Sequence, residues 1–265
     1  MLTAISYRLN IFGFPGNPTT PANLGLLDQR MAVEWIRDNI AGFGGDPQRI
    51  TLFGQSAGAA SVDFYSYAWT SDPIVKGIIE ESGTAVALGH VTNSTATGLW
   101  FNVSVSLGCG GAAADPNQVL ACMRTQPATA IVSALPLPTS ILDITSKFNP
   151  TADEVIVFSN YTGRESIAAP LLIGNNDDEA GLFEVVAALM GQIQPEEFWT
   201  QYNLQTKTCP AGLRAAVSAQ SGSPTWRYRY FGDFPNLQLT TNPPSGAWHG
   251  AEACFVSGVL LECSS

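Results

Sequence analysis

Arg49-Ile50-Thr51-Leu52-Phe53-Gly54-Gln55-Ser56-Ala57-Gly58-Ala59-Ala60 is the stretch whose reading decides the fold. After Arg49, residues 50–53 are β-branched, apolar or aromatic, and 49–53 reads as a short strand. Gly54–Gly58 is a G-x-S-x-G, and small residues run on through Ala60 into Val62-Asp63-Phe64-Tyr65, which has helical character. A strand, a sharp turn at Ser56 and a helix would hold the serine oxygen at the carboxyl edge of a sheet. The two glycines are expected where any side chain would collide with neighbouring backbone. A tight Gly/Ser turn can be spelled with the same letters, so the motif draws its weight from the strand before it and the helix after it.

Outward from this turn, strands and helices alternate. Upstream, Leu2–Tyr7 reads as the inside of a buried strand, followed by a loop with Gly13, Pro15, Gly16 and Pro18. From about Leu26 to Ile40 apolar residues recur at helical spacing (Leu27, Met31, Trp35; Val33, Ile36, Ile40) between charged ones. Gly42, Gly44, Gly45 and Asp46-Pro47 end that helix. Downstream, residues 76–80 read as a strand, 90–165 as loop-rich with a helix near Val119–Arg124, and 170–174 as a strand. Glu184–Met190 reads as a helix and Trp226–Phe231 as a late strand. The alternation predicts an α/β fold: a mostly parallel central sheet with helices on both faces, formed by residues 1–265 as one domain.

The chain has 265 residues, 45% of them hydrophobic, a folding composition rather than a disordered one. Lys and Arg total 12 against 22 Asp and Glu, a formal net charge of -10, so the positive footprint that a nucleic-acid backbone requires is missing. No apolar run is long enough for a transmembrane helix. The first residues lack the basic start and unbroken apolar core of a signal peptide. Asn93, Asn102 and Asn160 begin Asn-x-Ser/Thr sequons, the glycosylation candidates, and Cys109 and Cys122 flank a loop that a disulfide could close. Together these features tilt toward a secreted origin.

A serine hydroxyl needs a base to become nucleophilic at neutral pH, and histidine is the usual one. Of the two histidines, His90 stands beside a sequon in a solvated loop. His249 lies in Ser245–Glu252, a small-residue loop beyond the last strand, where such a base would stand. The carboxylate that would orient the imidazole belongs between serine and histidine in this architecture. Asp177, Asp178 and Glu179 follow the strand at 170–174, and spacing alone does not choose among them.

A set of stretches in shared order resembles the type-B carboxylesterases, the family of cholinesterases and large fungal lipases. They are Tyr7-Arg8-Leu9-Asn10, Phe12-Gly13-Phe14, Asn23–Arg37, Phe43–Pro47, Ile50–Val62 and Glu81-Ser82-Gly83 (Glu81 where the family commonly has Gln). Leu107-Gly108-Cys109 with Cys122-Met123-Arg124, Asp178-Glu179, and Trp248-His249-Gly250 with Glu252 complete them. Trp226–Phe234 and Gly246–Gly250 resemble the fungal branch. The resemblance implies an α/β-hydrolase fold and a serine carboxylic-ester hydrolase working through an acyl-enzyme. In it Ser56 is the nucleophile, Glu179 the acid and His249 the base, and Ala57 supplies an oxyanion-hole N–H. Ser82 and Glu252 occupy positions that buttress the triad through hydrogen bonds. It implies a Cys109–Cys122 disulfide, a small-molecule or lipid ester as substrate, secretion, and no metal or organic cofactor. Activity is expected to rise with pH as the imidazole becomes neutral. Gln55 replaces the family's usual Glu, which weakens any preference for cationic esters.

The resemblance breaks in one respect. No His-Gly-Gly-Gly-like loop, the family's source of two further oxyanion donors, occurs in the sequence. The expectation is therefore a fragment that lacks the N-terminal oxyanion-loop region and the C-terminal end of the family, with a central strand missing between 2–7 and 49–53, impaired turnover and marginal stability alone. A non-catalytic cholinesterase-like binding or adhesion module, or an inactive fragment, is the alternative. Of the remaining cysteines, Cys254 and Cys263 would lie on opposite faces of one helix, and either could pair with Cys209.

Overall fold

Four parallel strands carry the fold: β1 (Thr51–Gln55), β2 (Gly77–Glu81), β3 (Leu171–Asn176) and β4 (Thr225–Tyr230), hydrogen-bonded in the order β1-β2-β3-β4. The structure is a computed structural model that describes residues 1–137, 147–242 and 244–253. Its helices in chain order are α1 (Asn10–Gly13), α2 (Leu24–Asn39), α3 (Ala57–Ala68), α4 (Ala85–Leu88) and α5 (Asn93–Ser106). There follow α6 (Pro116–Thr125), α7 (Ala128–Ser133), α8 (Ala180–Leu189), α9 (Glu196–Asn203) and α10 (Cys209–Gln220). The chain forms two compact units, residues 1–39 with 89–162, and residues 40–88 with 163–265.

The second unit holds the sheet. Parallel strands need a crossover, and α3 supplies it between β1 and β2, while α8, α9 and α10 lie between β3 and β4. Ile78, Leu171 and Ile173 point to one face and are buried. α3 and α10 sit side by side on that face, because Arg214 of α10 donates to Asp63 of α3 at 2.6 Å and lies 3.9 Å from Glu80 of β2. These three groups are buried, and the Asp63 and Glu80 charges hold the Arg214 guanidinium protonated against its burial. On the opposite face Phe53, Ile79, Leu172 and Trp226 stand in one register row, and Phe53, Leu172 and Trp226 are exposed.

In the first unit Ile11, Trp100, Val103, Val119, Met123, Ile131 and Phe148 form the core. α5 runs through the stretch expected to be loop-rich, and that expectation is corrected. Its Ser, Thr, Gly and Val content gives poor intrinsic propensity. Burial of Ala96, Trp100 and Val103 at helical spacing, and the Thr92 hydroxyl accepting from Thr95 N–H, override it. Cys109 and Cys122 are disulfide-bonded. Asn93, Asn102 and Asn160 are exposed.

The strand expected at 2–7 does not form. A strand exists only by pairing, and among the described residues none pairs with this one. The chain instead turns into α1: the Arg8 N–H and guanidinium bind Asp28 of α2, and the Leu9 carbonyl accepts from Gly13. The other expected elements form with shifted ends, β1 starting at Thr51 and α8 at Ala180. Cys209 is exposed, and Cys254, Cys263 and the helix suggested for 254–263 lie outside the described residues. Among the described residues no helix is long and apolar enough to cross a membrane.

Candidate active site

Ser56, Glu179 and His249 all follow the carboxyl ends of parallel strands, where an open α/β sheet places its functional groups. Ser56 is the residue between β1 and α3. Its backbone sits at φ 57° and ψ -119°, a conformation that costs a non-glycine residue about 1–3 kcal/mol and needs its surroundings to hold it. Two hydrogen bonds do so: Ser56 N–H donates to the Glu81 carbonyl at the end of β2 (2.8 Å), and the Ser56 carbonyl accepts from Ala60 N–H (3.0 Å).

The crowding around the turn explains one of its two glycines. A Cβ on Gly54 would stand 2.4 Å from the Gly58 carbonyl, so only glycine fits. A Cβ on Gly58 would meet open space, which corrects the expectation that both glycines are sterically required. A third glycine is required instead: a Cβ on Gly83 would lie 2.1 Å from the Ser56 carbonyl oxygen.

The structure separates the three candidate carboxylates. Asp177 pairs outward with Arg229 at 2.6 Å, and Asp178 accepts from the Asn203 side chain at 3.2 Å. Glu179 turns inward, with no exposed surface, and its Oε2 accepts from His249 Nδ1 at 2.5 Å. That bond places the imidazole proton on Nδ1, leaving Nε2 to accept from the Ser56 hydroxyl at 2.7 Å. His249 is 6% exposed and packs against the Phe183 ring, with Gln55 Nε2 at 3.5 Å from its Nε2. His90 belongs to the first unit, in a half-buried loop.

Glu179 is held by donors as well as by the histidine. Its Oε1 accepts from the Ser82 hydroxyl and from Asn176 N–H, both at 2.6 Å. Glu252 lies beside it, 3.5 Å from the Ser82 hydroxyl, and accepts from the Asn176 side-chain amide. The same amide donates to the Trp248 carbonyl at 2.6 Å, and Trp248 Nε1 donates to the Leu237 carbonyl at 2.7 Å, fixing the loop that carries His249. Asn176 was invisible as a site residue in the sequence, because the two bonds of its side chain reach residues more than 70 positions away. Ala57 opens α3, so its N–H is one of the helix's first-turn donors without an intrahelical acceptor.

Behind this line the site is rich in buried acid. Burial and the neighbouring Glu252 push the Glu81 carboxyl up to about 7, and burial raises Glu252 as well. Among the described residues Glu81 Oε2 has no hydrogen-bond partner. Tyr228 faces this acid, and burial with the charges of Glu81, Glu252 and Glu179 raises its phenol far above the ordinary value.

A model of the carboxylesterase family matches residues 1–209. The chain belongs to the carboxylesterase family. With the parallel sheet and its crossover helices, membership makes this an α/β-hydrolase fold. It is 38% identical to "Secreted lipase 5" of Gibberella zeae over 97% of its own length and 51% of that protein's. It is 37% identical to "Chlorogenic acid esterase" of Aspergillus niger, covering 99% of the chain and 50% of the relative. "Cholinesterase" of Mus musculus is 34% identical over 71% of the chain and 32% of its own length. The chain spans about half the length of the two fungal relatives.

Proposed function

We propose that the chain is a serine carboxylic-ester hydrolase in which Ser56 is the nucleophile, His249 the general base and Glu179 the acid that orients it. The observation that carries this reading is the unbroken line of hydrogen bonds from Ser56 Oγ through His249 to a fully buried Glu179. Ser56 Oγ adds to the ester carbonyl while His249 Nε2 takes its proton, and Glu179 stabilises the imidazolium. The tetrahedral oxyanion is met by the Ala57 N–H and the positive end of α3. His249 then protonates the departing alcohol. Water, activated by the same nitrogen, attacks the acyl-Ser56 ester and releases the acid.

Ser82 and Glu252 support this arrangement by keeping Glu179 and Asn176 in place. Ala57 is the one oxyanion donor that the sequence assigns. Loss of a single such donor elsewhere costs about 10²–10³ in rate. Carboxylic esters are the substrate class, since one relative is named a lipase and another an esterase of chlorogenic acid. An extracellular setting fits the disulfide, the three exposed sequons and the relative named as secreted.

The test is the intact mass of the purified chain after exposure to a fluorophosphonate, beside Ser56→Ala and His249→Gln. A single adduct on the wild type that Ser56→Ala lacks and His249→Gln slows at least about 100-fold is expected. A folded wild-type chain that takes no adduct refutes the reading and favours a non-catalytic binding module.

A further inference from the structure

Lys207 lies in a π-helical turn, residues 204–208, between α9 and α10. Such turns are rare and recur at functional sites. Both ends of the segment grip the loop that carries Glu179. At one end Asn203 Oδ1 accepts from Ala180 N–H at 2.6 Å and its amide donates to Asp178. At the other, Thr208 Oγ1 accepts from the Asn175 side chain at 3.3 Å. Between them Lys207 Nζ donates to the Ser82 carbonyl at 2.9 Å.

Taking an ammonium out of water is costly unless opposite charge meets it. Burial does lower the Lys207 ammonium, and the charges of Glu179 and Glu252 oppose that lowering. The carboxylates have the converse problem, since Glu81, Glu179 and Glu252 are all nearly inaccessible to solvent. Glu81 faces this cluster from β2, Tyr228 from β4 and Tyr202 from α9. Each of these is neutral or negative. A partner that is both cationic and bonded to the residue holding Glu179 answers the shared need.

We propose that Lys207 is a positioning residue for the site, a half-buried counter-charge that acts through Ser82 on Glu179 and Glu252 and sets the pH range in which Ser56 can be labelled. The inference rests on the serine-hydrolase reading above. Without the ammonium, the facing carboxylates go unbalanced, and labelling of Ser56 sets in only at higher pH.

The experiment follows the rate of fluorophosphonate labelling from about pH 5 to 9 in the whole chain, for wild type, Lys207→Gln and Lys207→Arg. Gln removes the charge and keeps an N–H donor, on a side chain one bond shorter. The acid limb of the Lys207→Gln profile is expected to move up by about one pH unit, slowing labelling near pH 6 about tenfold, with the alkaline plateau within about threefold of wild type. Lys207→Arg returns the limb to its wild-type position. Labelling by the wild type with an unmoved limb in Lys207→Gln overturns the role of Lys207 alone. A wild type that does not label overturns both readings. Should Lys207→Gln fail to fold, Lys207→Met, which also removes the charge, is read in the same way: an acid limb moved up supports the counter-charge, and an unmoved limb refutes it.

Discussion

Glu81→Gln isolates the energetic cost of the buried acid behind the site. Glu81 is 2% exposed, its Oε2 lacks a partner among the described residues, and Glu252 stands beside it. Its carboxyl is raised from 4.5 to about 7 by burial first and by Glu252 second. The folded chain therefore holds a proton that the unfolded chain has released between those values. The unfolded state binds fewer protons in that window, so stability falls as pH rises through it and levels off above about 7. The full shift corresponds to about 3 kcal/mol, and the part accessible between pH 5 and 8.5 to about 2.5 kcal/mol. Solvent relaxation around the pair lowers this to about 2.

Glutamine has nearly the same volume and no charge to lose, so Glu81→Gln should flatten this part of the pH dependence. It also relieves Glu252, which adds to the gain at alkaline pH in the same direction. Urea unfolding followed by tryptophan fluorescence across that range measures the effect. The stability difference between variant and wild type should grow by about 2 kcal/mol from acid to alkaline pH, moving the midpoint by about 1 M urea. A difference that stays constant with pH would mean that Glu81 does not titrate in the folded chain, and the electrostatic account of the cluster would be wrong.

Three further perturbations test the scaffold. Gly54→Ala drives a methyl into the Gly58 carbonyl and should cost about 2–4 kcal/mol and abolish labelling, while Gly58→Ala should leave thermal stability unchanged or about 0.5 kcal/mol higher. Arg214→Met strands Asp63 and Glu80 without their buried cation and should lower stability by about 3–5 kcal/mol in a thermal melt; a neutral result would mean that the two carboxylates are protonated. Cys109→Ser, or reduction of the Cys109–Cys122 bond, should cost about 3 kcal/mol by the chain-entropy account, read as a drop in melting temperature.

The sequence by itself determined the parallel α/β character, the turn at Ser56 and the position of His249 in a loop beyond the last strand, because each has a local signature. β-branched runs make β1 and β2, apolar periodicity makes α2, and the Gly54–Gly58 spacing marks the turn. It also determined the disulfide, through the family resemblance of its flanking stretches. Whether 2–7 becomes a strand was not a local matter, since a strand needs a neighbour to accept its hydrogen bonds. The formation of α5 likewise depended on what Trp100 and Val103 bury against, and not on a propensity that argues for loop. That Glu179, and not Asp177 or Asp178, meets His249 became visible only when three adjacent side chains took three different directions. Asn176, Lys207 and the required glycine at 83 belong to the same class. Their partners lie far along the chain, and only tertiary packing brings a half-buried ammonium and a buried amide and carboxylate close enough for their desolvation to be offset by one another.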